Sequence, residues 1–202
     1  MKAVSIALIA LFISSAAAAD DSWLAPILLN DPTIPEVALR LAFKWLEEHP
    51  ENFPNHEVLT IIDFSASSRT KRMHVVNLTR LESTRYLVAH GKNSGYDVPT
   101  QFSNEEGSNM SSLGVYTTLD PYRGDHGLSL RLRGLESTND QAENRLIVLH
   151  GADYVSDAVA ASQDRLGRSL GCPTVDLAVV DQLVPQLQGG SLLLIYSLTA
   201  IP

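Results

Sequence analysis

The chain has 202 residues, with 15 Lys and Arg against 23 Asp and Glu, so its formal net charge at pH 7 is −8. This acidic balance, with no run of basic residues, excludes binding of nucleic acid or anionic lipid through bulk charge. The length suffices for one domain with a sizeable core.

Residues 1–19 are typical of a secretory signal peptide. Lys2 gives a positive start, residues 3–13 form an apolar core, and residues 14–19 are small. The pattern predicts cleavage before Asp20, which removes only Lys2 from the charge count and changes −8 to −9. No later run reaches the ~18 apolar residues of a transmembrane helix. We therefore expect an exported mature chain without an integral membrane segment; the alternative is an uncleaved amphiphilic anchor.

A capping box at residues 33–36 opens the first predicted helix. Thr33 and Glu36 stand three residues apart, Pro35 lies in the first turn, and Pro50 follows the end of the pattern. The helix should run to about residue 49 and pack on the domain that follows. Its expected apolar face consists of Ile34, Val37, Leu41 and Trp45, flanked by Ala38, Ala42 and Leu46.

From residue 57 the apolar period changes to that of strands. Strands are predicted over 58–64, 73–78, 84–89, 115–119, 128–132, 145–149 and 191–198. A helix is predicted over 176–187, and the polar segment 93–110 is a long loop of the kind that is functional or mobile. These elements indicate a helical lead-in over 20–56 and a mainly β domain over 57–202, with seven or eight strands and two or three helices in all.

The only cysteine of the chain lies in the segment Arg168-Ser169-Leu170-Gly171-Cys172-Pro173, and an upstream apolar run ends in His150-Gly151. A lone thiol and a histidine at a strand end indicate a cysteine nucleophile and its base. Ser169 and Gly171 favour a tight turn, in which the N–H groups of Gly171 and Cys172 would bind a developing oxyanion. An imidazolium beside the thiol should lower the thiol pKa.

Other interpretations of the cysteine stay open at this point. A lone cysteine is often a small buried hydrophobic residue. In an exported chain, an unpaired thiol is either an intermolecular link or a reactive group. Spacing alone also does not choose the base, because three histidines precede a glycine: His90, His126 and His150.

The motifs together resemble the catalytic domain of the murein L,D-transpeptidases of the YkuD type. That family carries a His-Gly, a spacer, and then Ser/Thr-x-Gly-Cys, which match His150-Gly151 and residues 169–172. Further segments with the same resemblance are 89–91, 102–104, 107–108, 112–114, 126–130, 145–154 and 167–173. The resemblance covers about residues 57–198.

The resemblance implies a β-sandwich or barrel catalytic domain with an N-terminal helix, acting as an acyltransferase without a metal or cofactor. Cys172 would be the nucleophile and His150 its base, with the carbonyl of Gly151 orienting the imidazole. Ser169 would shape the turn, and Gly171 would contribute to the oxyanion hole. The implied substrate-binding residues are His90, His126 and Arg168.

The implied substrates are peptidoglycan stem peptides, as donor and as acceptor, in the periplasm or cell wall of a bacterium. The cysteine would attack the carbonyl of the third stem residue, expel the terminal D-alanine and form a thioester, which the amine of another stem converts to a cross-link. The implied enzyme is a monomer. Two alternatives are a hydrolase, in which water takes the acyl group, and a non-catalytic wall-binding domain.

Two residues depart from the family pattern, and both follow the cysteine. Pro173 lacks a backbone N–H, and Thr174 stands where the family usually has Arg or Asn. The substrate contact of that Arg or Asn is therefore in question here, and Arg168 is a candidate to replace its charge. Loop 93–110, together with the segment around His126, is expected to form the wall that holds the acceptor.

Overall fold

The computed structural model describes residues 21–200. The predicted signal peptide over 1–19 lies outside the described residues. The helices are α1 (Leu24–Asn30), α2 (Glu36–Glu48), α3 (Asp157–Ser162) and α4 (Leu177–Leu187). The strands are β1 (Val58–Asp63), β2 (Met73–Asn77), β3 (Glu82–Tyr86), β4 (Gly114–Gly124), β5 (Gly127–Gly134), β6 (Val148–Ala152), β7 (Thr174–Asp176) and β8 (Leu192–Tyr196).

The eight strands of the described chain form one sheet, in the order β3-β2-β1-β8-β4-β5-β6-β7. The pairs β1–β8 and β6–β7 are parallel, and the other neighbours are antiparallel. The two ends of this order approach each other, because Ala89, after β3, bridges Thr174 of β7, and Gly91 bridges Ser169. The sheet is therefore curled nearly into a barrel. The prediction of a mainly β fold with an N-terminal helix is confirmed.

Strand β8 lies in the middle of the sheet, and this position explains its uninterrupted apolar sequence. All of its residues are buried, and successive side chains of a strand point to opposite faces. Leu193 and Ile195 join a core that α4 covers. Leu192, Leu194 and Tyr196 join a second core, on the other face, that α2 covers.

Helix α2 is the predicted first helix, but two details of that prediction are wrong. The capping box does not form, because Thr33 Oγ1 donates to Asp31 and the N-cap residue is Pro35, without a side-chain hydrogen bond. The predicted face is buried only in part, because Ile34, Ala38 and Ala42 are buried as expected but Val37 is 61% exposed and Leu41 is 38% exposed. The buried positions are Ala38, Leu39 and Ala42. Two alanines at the contact let the helix approach the sheet closely, and this favours the face with small residues.

Several strand boundaries also differ from the prediction. β3 ends at Tyr86 rather than at residue 89, and β6 begins at Val148 rather than at residue 145. β7 has only three residues, too few to show a period, and the short helix α1 was not predicted either. The shift of β6 has a functional consequence. His150 lies in the middle of the strand, paired with Ser129 of β5 and Thr174 of β7.

A buried carboxylate joins the end of α1 to the sheet. Asp31 is 4% exposed. Its Oδ2 lies 2.7 Å from His74 Nδ1 and accepts from Ser83 Oγ at 3.0 Å, while Oδ1 accepts from the N–H and hydroxyl of Thr33. Burial by itself raises the pKa of Asp31, but the hydrogen bonds from Thr33, His74 and Ser83 and the charge of His74 outweigh it. The pKa therefore lies below the ordinary value of 3.8.

The variant Asp31→Asn should lose about 1–3 kcal/mol of unfolding free energy near pH 7, because a buried donor then lacks its acceptor. A depressed pKa means that the carboxylate contributes its stability above the unfolded-state value of 3.8, and that this contribution is lost as the pH falls through the lower folded value. Urea unfolding measures the unfolding free energies of wild type and variant at neutral pH and at a pH below 3.8. The difference between the two free energies should be smaller at the lower pH. The matched control is Asp21→Asn, which removes an exposed ion pair with Arg40 and should cost less than ~1 kcal/mol. Equal losses in the two variants would contradict the prediction.

Candidate active site

The imidazole of His150 is held by three neighbours. Nδ1 lies 3.0 Å from the carbonyl oxygen of Gly151, so we assign the ring proton to Nδ1 and a lone pair to Nε2. Nε2 lies 3.2 Å from the hydroxyl of Thr174, whose single proton is donated either to Nε2 or to the carbonyl oxygen of Cys172 at 3.4 Å. The ring of His126 stacks on that of His150, with centroids 4.4 Å apart and 20° between the planes. The order β5-β6-β7 thus fixes the position of the ring, and its side-chain contacts fix the orientation.

The electrostatic surroundings keep His150 neutral. Burial lowers the pKa of His150 below its ordinary value of 6.5, the hydrogen bond to the carbonyl of Gly151 opposes this, and the nearby His126 lowers the pKa further. An imidazole with a depressed pKa is unprotonated at neutral pH and can accept a proton at Nε2. His150 therefore has the protonation state that a general base needs.

Ser169 closes the turn that carries the cysteine. Its Oγ donates to the carbonyl of Cys172 at 2.6 Å and accepts the N–H of Gly171 at 3.1 Å. Gly171 has a φ of +134°, and a Cβ at this position would stand 2.9 Å from the carbonyl oxygen of Met110. A side chain at position 171 would therefore be strained and would collide with the neighbouring backbone.

The oxyanion hole predicted from two backbone N–H groups is not formed as expected. The N–H of Gly171 is taken up by Ser169 Oγ, and Pro173 has no N–H. The same serine that shapes the turn thus withdraws one of the two donors. Of the two predicted donors, only the N–H of Cys172 remains available. The structure does not bring the N–H of Gly171 into an oxyanion hole.

The thiol of Cys172 lies over the backbone that leads into β6. Sγ accepts from the N–H of Val148 at 3.5 Å and donates to the carbonyl of Leu146 at 3.7 Å. The predicted depression of the thiol pKa is wrong. Burial raises the pKa of Cys172, while the N–H of Val148 and the charge of Arg145 act in the opposite direction. That prediction counted an imidazolium but not burial, and His150 is itself neutral.

One cavity of about 610 Å³ contains both Cys172 and His150. Among the other predicted site residues, its lining includes His126, Arg168 and Ser169. The hairpin between β4 and β5 contributes part of the lining, and the residues before and within β6 contribute another part. Segment 93–110 contributes no lining residue, so the structure does not support this loop as the acceptor wall. The hairpin that carries His126, which the prediction also included, does line the cavity.

His90 does not reach this cavity, contrary to the prediction. Its side chain is fully buried, with Nδ1 2.8 Å from Arg72 Nη2 and Nε2 3.4 Å from the carbonyl oxygen of Gly95. Burial, together with the charge of Arg72, lowers the pKa of His90 to about 3. The backbone carbonyl of His90 accepts the N–H of Ser169 at 3.0 Å. His90 thus supports the cysteine turn from behind and does not contact a ligand in the cavity.

The segment from Arg145 to Val148 is part of the site; it lies within the family resemblance over 145–154, but no role was predicted for its residues. Its contacts with Cys172 are through the backbone of Leu146 and Val148, which any residue type supplies. Leu146 has a φ of +55° and is 76% exposed. Such a conformation is rare for leucine and occurs at functional sites. The positive φ turns the chain so that the carbonyl of Leu146 meets the thiol.

A larger groove, of about 710 Å³, lies away from the cysteine. Many of its lining residues carry side-chain amides: Asn30, Asn55, Asn77, Gln186 and Gln188. The amide of Asn55 is already bonded to the carbonyls of Gln186 and Gln188, and Asn30 accepts from the backbone of Ser83. Size alone therefore does not make this groove the site, and its lining includes no thiol.

The sequence over residues 30–196 matches the family described as L,D-transpeptidase catalytic domain. The chain belongs to this family. The resemblance stated from the motifs is confirmed. The match of this L,D-transpeptidase domain begins before α2, and the domain boundary predicted at residue 57 stays a prediction. Among curated proteins, none matches the chain.

Solved structures similar to this domain include an L,D-transpeptidase from Mycobacterium smegmatis, at 14% identity and a TM-score of 0.43, with 69% of this chain and 58% of that chain covered. The helical cell shape determining protein Pgp2 from Campylobacter jejuni is similar at 12% identity and a TM-score of 0.44, with 81% and 57% covered. L,D-transpeptidase 3 from Mycobacterium tuberculosis is similar at 13% identity and a TM-score of 0.39, with 69% and 61% covered. The chain therefore spans about three fifths of the length of these structures, and the family assignment depends on the sequence match.

Two further properties concern residues 21–200 only. Within this range, no helix has the length and apolar character needed to cross a membrane. In the same range, no group of three or more His, Cys, Asp or Glu side chains is placed to hold a metal ion.

Proposed function

We propose that this domain is a peptidoglycan L,D-transpeptidase that cross-links stem peptides through a thioester on Cys172. The observation that carries the proposal is the shared cavity, since the only thiol of the chain and a neutral imidazole whose Nε2 can accept a proton both open into it. Membership in the family supports the same chemistry. The signal peptide predicted over 1–19 supports an exported enzyme, in the periplasm or cell wall where peptidoglycan lies.

In the proposed acylation, His150 Nε2 takes the proton of the Cys172 thiol, and Sγ attacks the carbonyl carbon of the residue before the terminal D-alanine. The C–N bond then breaks, the leaving amine takes the proton back from His150, and free D-alanine departs. A thioester on Cys172 remains. The hydrogen bond from Nδ1–H to Gly151 keeps the proton off Nε2 at the start, because only one ring nitrogen of a neutral imidazole is protonated.

The thioester has two possible fates. The amine of a second stem peptide gives a cross-link, and water gives a shortened stem; in both cases His150 takes the proton of the attacking group. Leu146 and Leu170 line the cavity and are 76% and 64% exposed, so water reaches the site. This exposure supports a second candidate function, hydrolysis of stem peptides on the same residues.

Mass spectrometry of purified muropeptides tests the proposal. The mature chain is incubated with a tetrapeptide donor, with and without an added acceptor stem. A transpeptidase yields cross-linked dimer and free D-alanine. Tripeptide alone at every acceptor concentration would assign the hydrolase, and unchanged muropeptides would indicate a non-catalytic wall-binding domain.

The hairpin wall gives a prediction about the acceptor. Asp125 is exposed and lines the cavity, and its charge can attract the ammonium group of an incoming stem. We expect Asp125→Ala to lower the ratio of dimer to tripeptide by about 1.4- to fivefold, since an exposed charge pair contributes ~0.2–1 kcal/mol. Donor acylation should be unchanged.

The matched control is Asp120→Ala, on strand β4 of the same hairpin but outside this cavity. Its ratio should equal that of wild type. If Asp125→Ala keeps the wild-type ratio as well, the acceptor does not contact the hairpin tip.

A further inference from the structure

Arg145, just before β6, places a half-buried guanidinium beside the cysteine turn. Nη1 donates to the carbonyl of Ser103 at 2.7 Å and Nη2 to the carbonyl of Met110 at 2.5 Å. Nη1 also contacts the hydroxyl of Ser112, and Nη2 that of Ser108, at 3.3 Å each. All four partners belong to one segment, 103–112. The guanidinium therefore fastens this segment to the residues that lead into β6.

These partners accept hydrogen bonds from the Nη1 and Nη2 groups of Arg145, but none of them carries a negative charge that would compensate the guanidinium. Carbonyl and hydroxyl oxygens accept hydrogen bonds without carrying a full negative charge. Among residues 21–200, the arginines in ion pairs with carboxylates are Arg40, Arg80, Arg85 and Arg133, and Arg145 is not one of them. A half-buried charge is screened less by salt and water than an exposed one, so it acts more strongly on its neighbours.

The thiol of Cys172 is a chemically active neighbour of this charge. Arg145 lines the same cavity as Cys172, and its Nη2 lies 3.2 Å from the place that a Cβ on Gly171 would occupy. The other charged or titratable side chains that line this cavity are Tyr122, Asp125, His126, His150, Tyr154 and Arg168. Of these cavity groups, Arg145 is the one whose charge favours the thiolate form of Cys172 against the effect of burial.

His150 is poorly placed to supply that charge. Its Nε2 is bonded to Thr174, and burial and His126 both disfavour the imidazolium. We propose that Arg145 is a positioning residue of this site, whose guanidinium charge stabilises the Cys172 thiolate and whose hydrogen bonds hold segment 103–112 against the cysteine turn. The inference rests on the proposed function, since it assigns a role in forming the nucleophile. The thiol proton still passes to His150, and Arg145 stays protonated throughout.

Alkylation by iodoacetamide measures the ionisation of Cys172 without any peptide substrate. Because the chain has one cysteine, the rate of adduct formation against pH reports that thiol alone. We expect Arg145→Met to move the midpoint of this profile upward by about one pH unit, the scale of an opposite charge nearby. Arg145→Lys keeps the charge and should restore most of the shift.

Two controls separate charge from packing. Ser108→Ala removes one tether of segment 103–112 without changing a charge, so its midpoint should equal that of wild type. Arg145→Gln removes the charge but keeps an amide that can donate to the same carbonyls. Thermal melts identify which of the neutral variants, Arg145→Met and Arg145→Gln, is folded. The folded variant should show the upward shift of the alkylation midpoint.

The outcomes distinguish the inference from the function on which it rests. If the wild-type thiol reacts only after denaturation, Cys172 is a buried structural cysteine and the proposed function fails. If the wild-type thiol reacts and the folded neutral variant has the wild-type midpoint, the proposed function stands and the role of Arg145 fails. A shift in Ser108→Ala as large as in the neutral variant would also overturn it, because packing alone would then explain the effect.

Discussion

Cys172→Ala is expected to abolish the covalent adduct with a donor stem peptide and to lower the turnover of stem peptides by about 10⁴–10⁶-fold, the scale seen when a covalent nucleophile is removed. The physical reason is that the chain has no second cysteine, and alanine offers no group to form a thioester. Intact-protein mass spectrometry after incubation with a tetrapeptide donor checks the adduct, and release of D-alanine checks turnover.

The fold should tolerate this change. The thiol makes two weak hydrogen bonds, at 3.5 and 3.7 Å, and both involve backbone groups. We therefore expect Cys172→Ala to change the unfolding free energy by less than about 1 kcal/mol, as for substitutions that create only a small cavity. Cys172→Ser is the matched control for shape, because it keeps the turn but supplies a hydroxyl that is far less acidic than a thiol. Turnover that persists in Cys172→Ala would show that the reaction does not pass through this residue.

The sheet could be predicted from sequence wherever both faces of a strand are buried or alternate clearly. β8 is the plainest case, since each of its five residues is buried. β7 could not be predicted, because three residues define no period and its place depends on pairing with β6. The face of α2 was predicted only in part, with Val37 and Leu41 wrongly included, for a different reason. Helical spacing permits more than one stripe, and the sheet selects the one with Ala38 and Ala42 at the contact.

The site could be predicted only where short motifs carry it, as in His150-Gly151 and in the turn around Cys172. The turn around Cys172 is held by Ser169 and Gly171, three and one residues away, so the motif describes it. Arg145 bonds to carbonyls 42 and 35 residues away, and such contacts leave no pattern in one sequence. The same holds for His90, where burial beside Arg72 decides the role.

Thr174, which stands where the family usually has Arg or Asn, contacts both the base and the cysteine turn. Its hydroxyl lies 3.2 Å from His150 Nε2 and 3.4 Å from the carbonyl oxygen of Cys172. The residue therefore links the base to the backbone of the nucleophile. A charged side chain at this position would have to point elsewhere, because residue 174 is fully buried on β7.

His150→Ala is expected to lower the acylation rate by about 10²–10⁴-fold, the usual cost of removing a general base. His126→Ala should cost less, because His126 stacks on the base and does not replace it. The pH dependence of the acylation rate distinguishes the base from the histidine that stacks on it. Acylation should rise with pH through the pKa of His150, which burial and then His126 hold below 6.5.

The variant His126→Ala lacks the histidine that lowers the pKa of His150, so that pKa should rise. The acidic limb of the profile of acylation rate against pH should therefore move to higher pH. The measurement is the rate of thioester formation from a tetrapeptide donor between about pH 4 and pH 8, with thermal melts to confirm that both variants are folded. In His150→Ala the limb should disappear, because the group that titrates is gone. A His150→Ala variant that retains the wild-type rate, beside an inactive His126→Ala, would transfer the role of base to the exposed histidine of the hairpin.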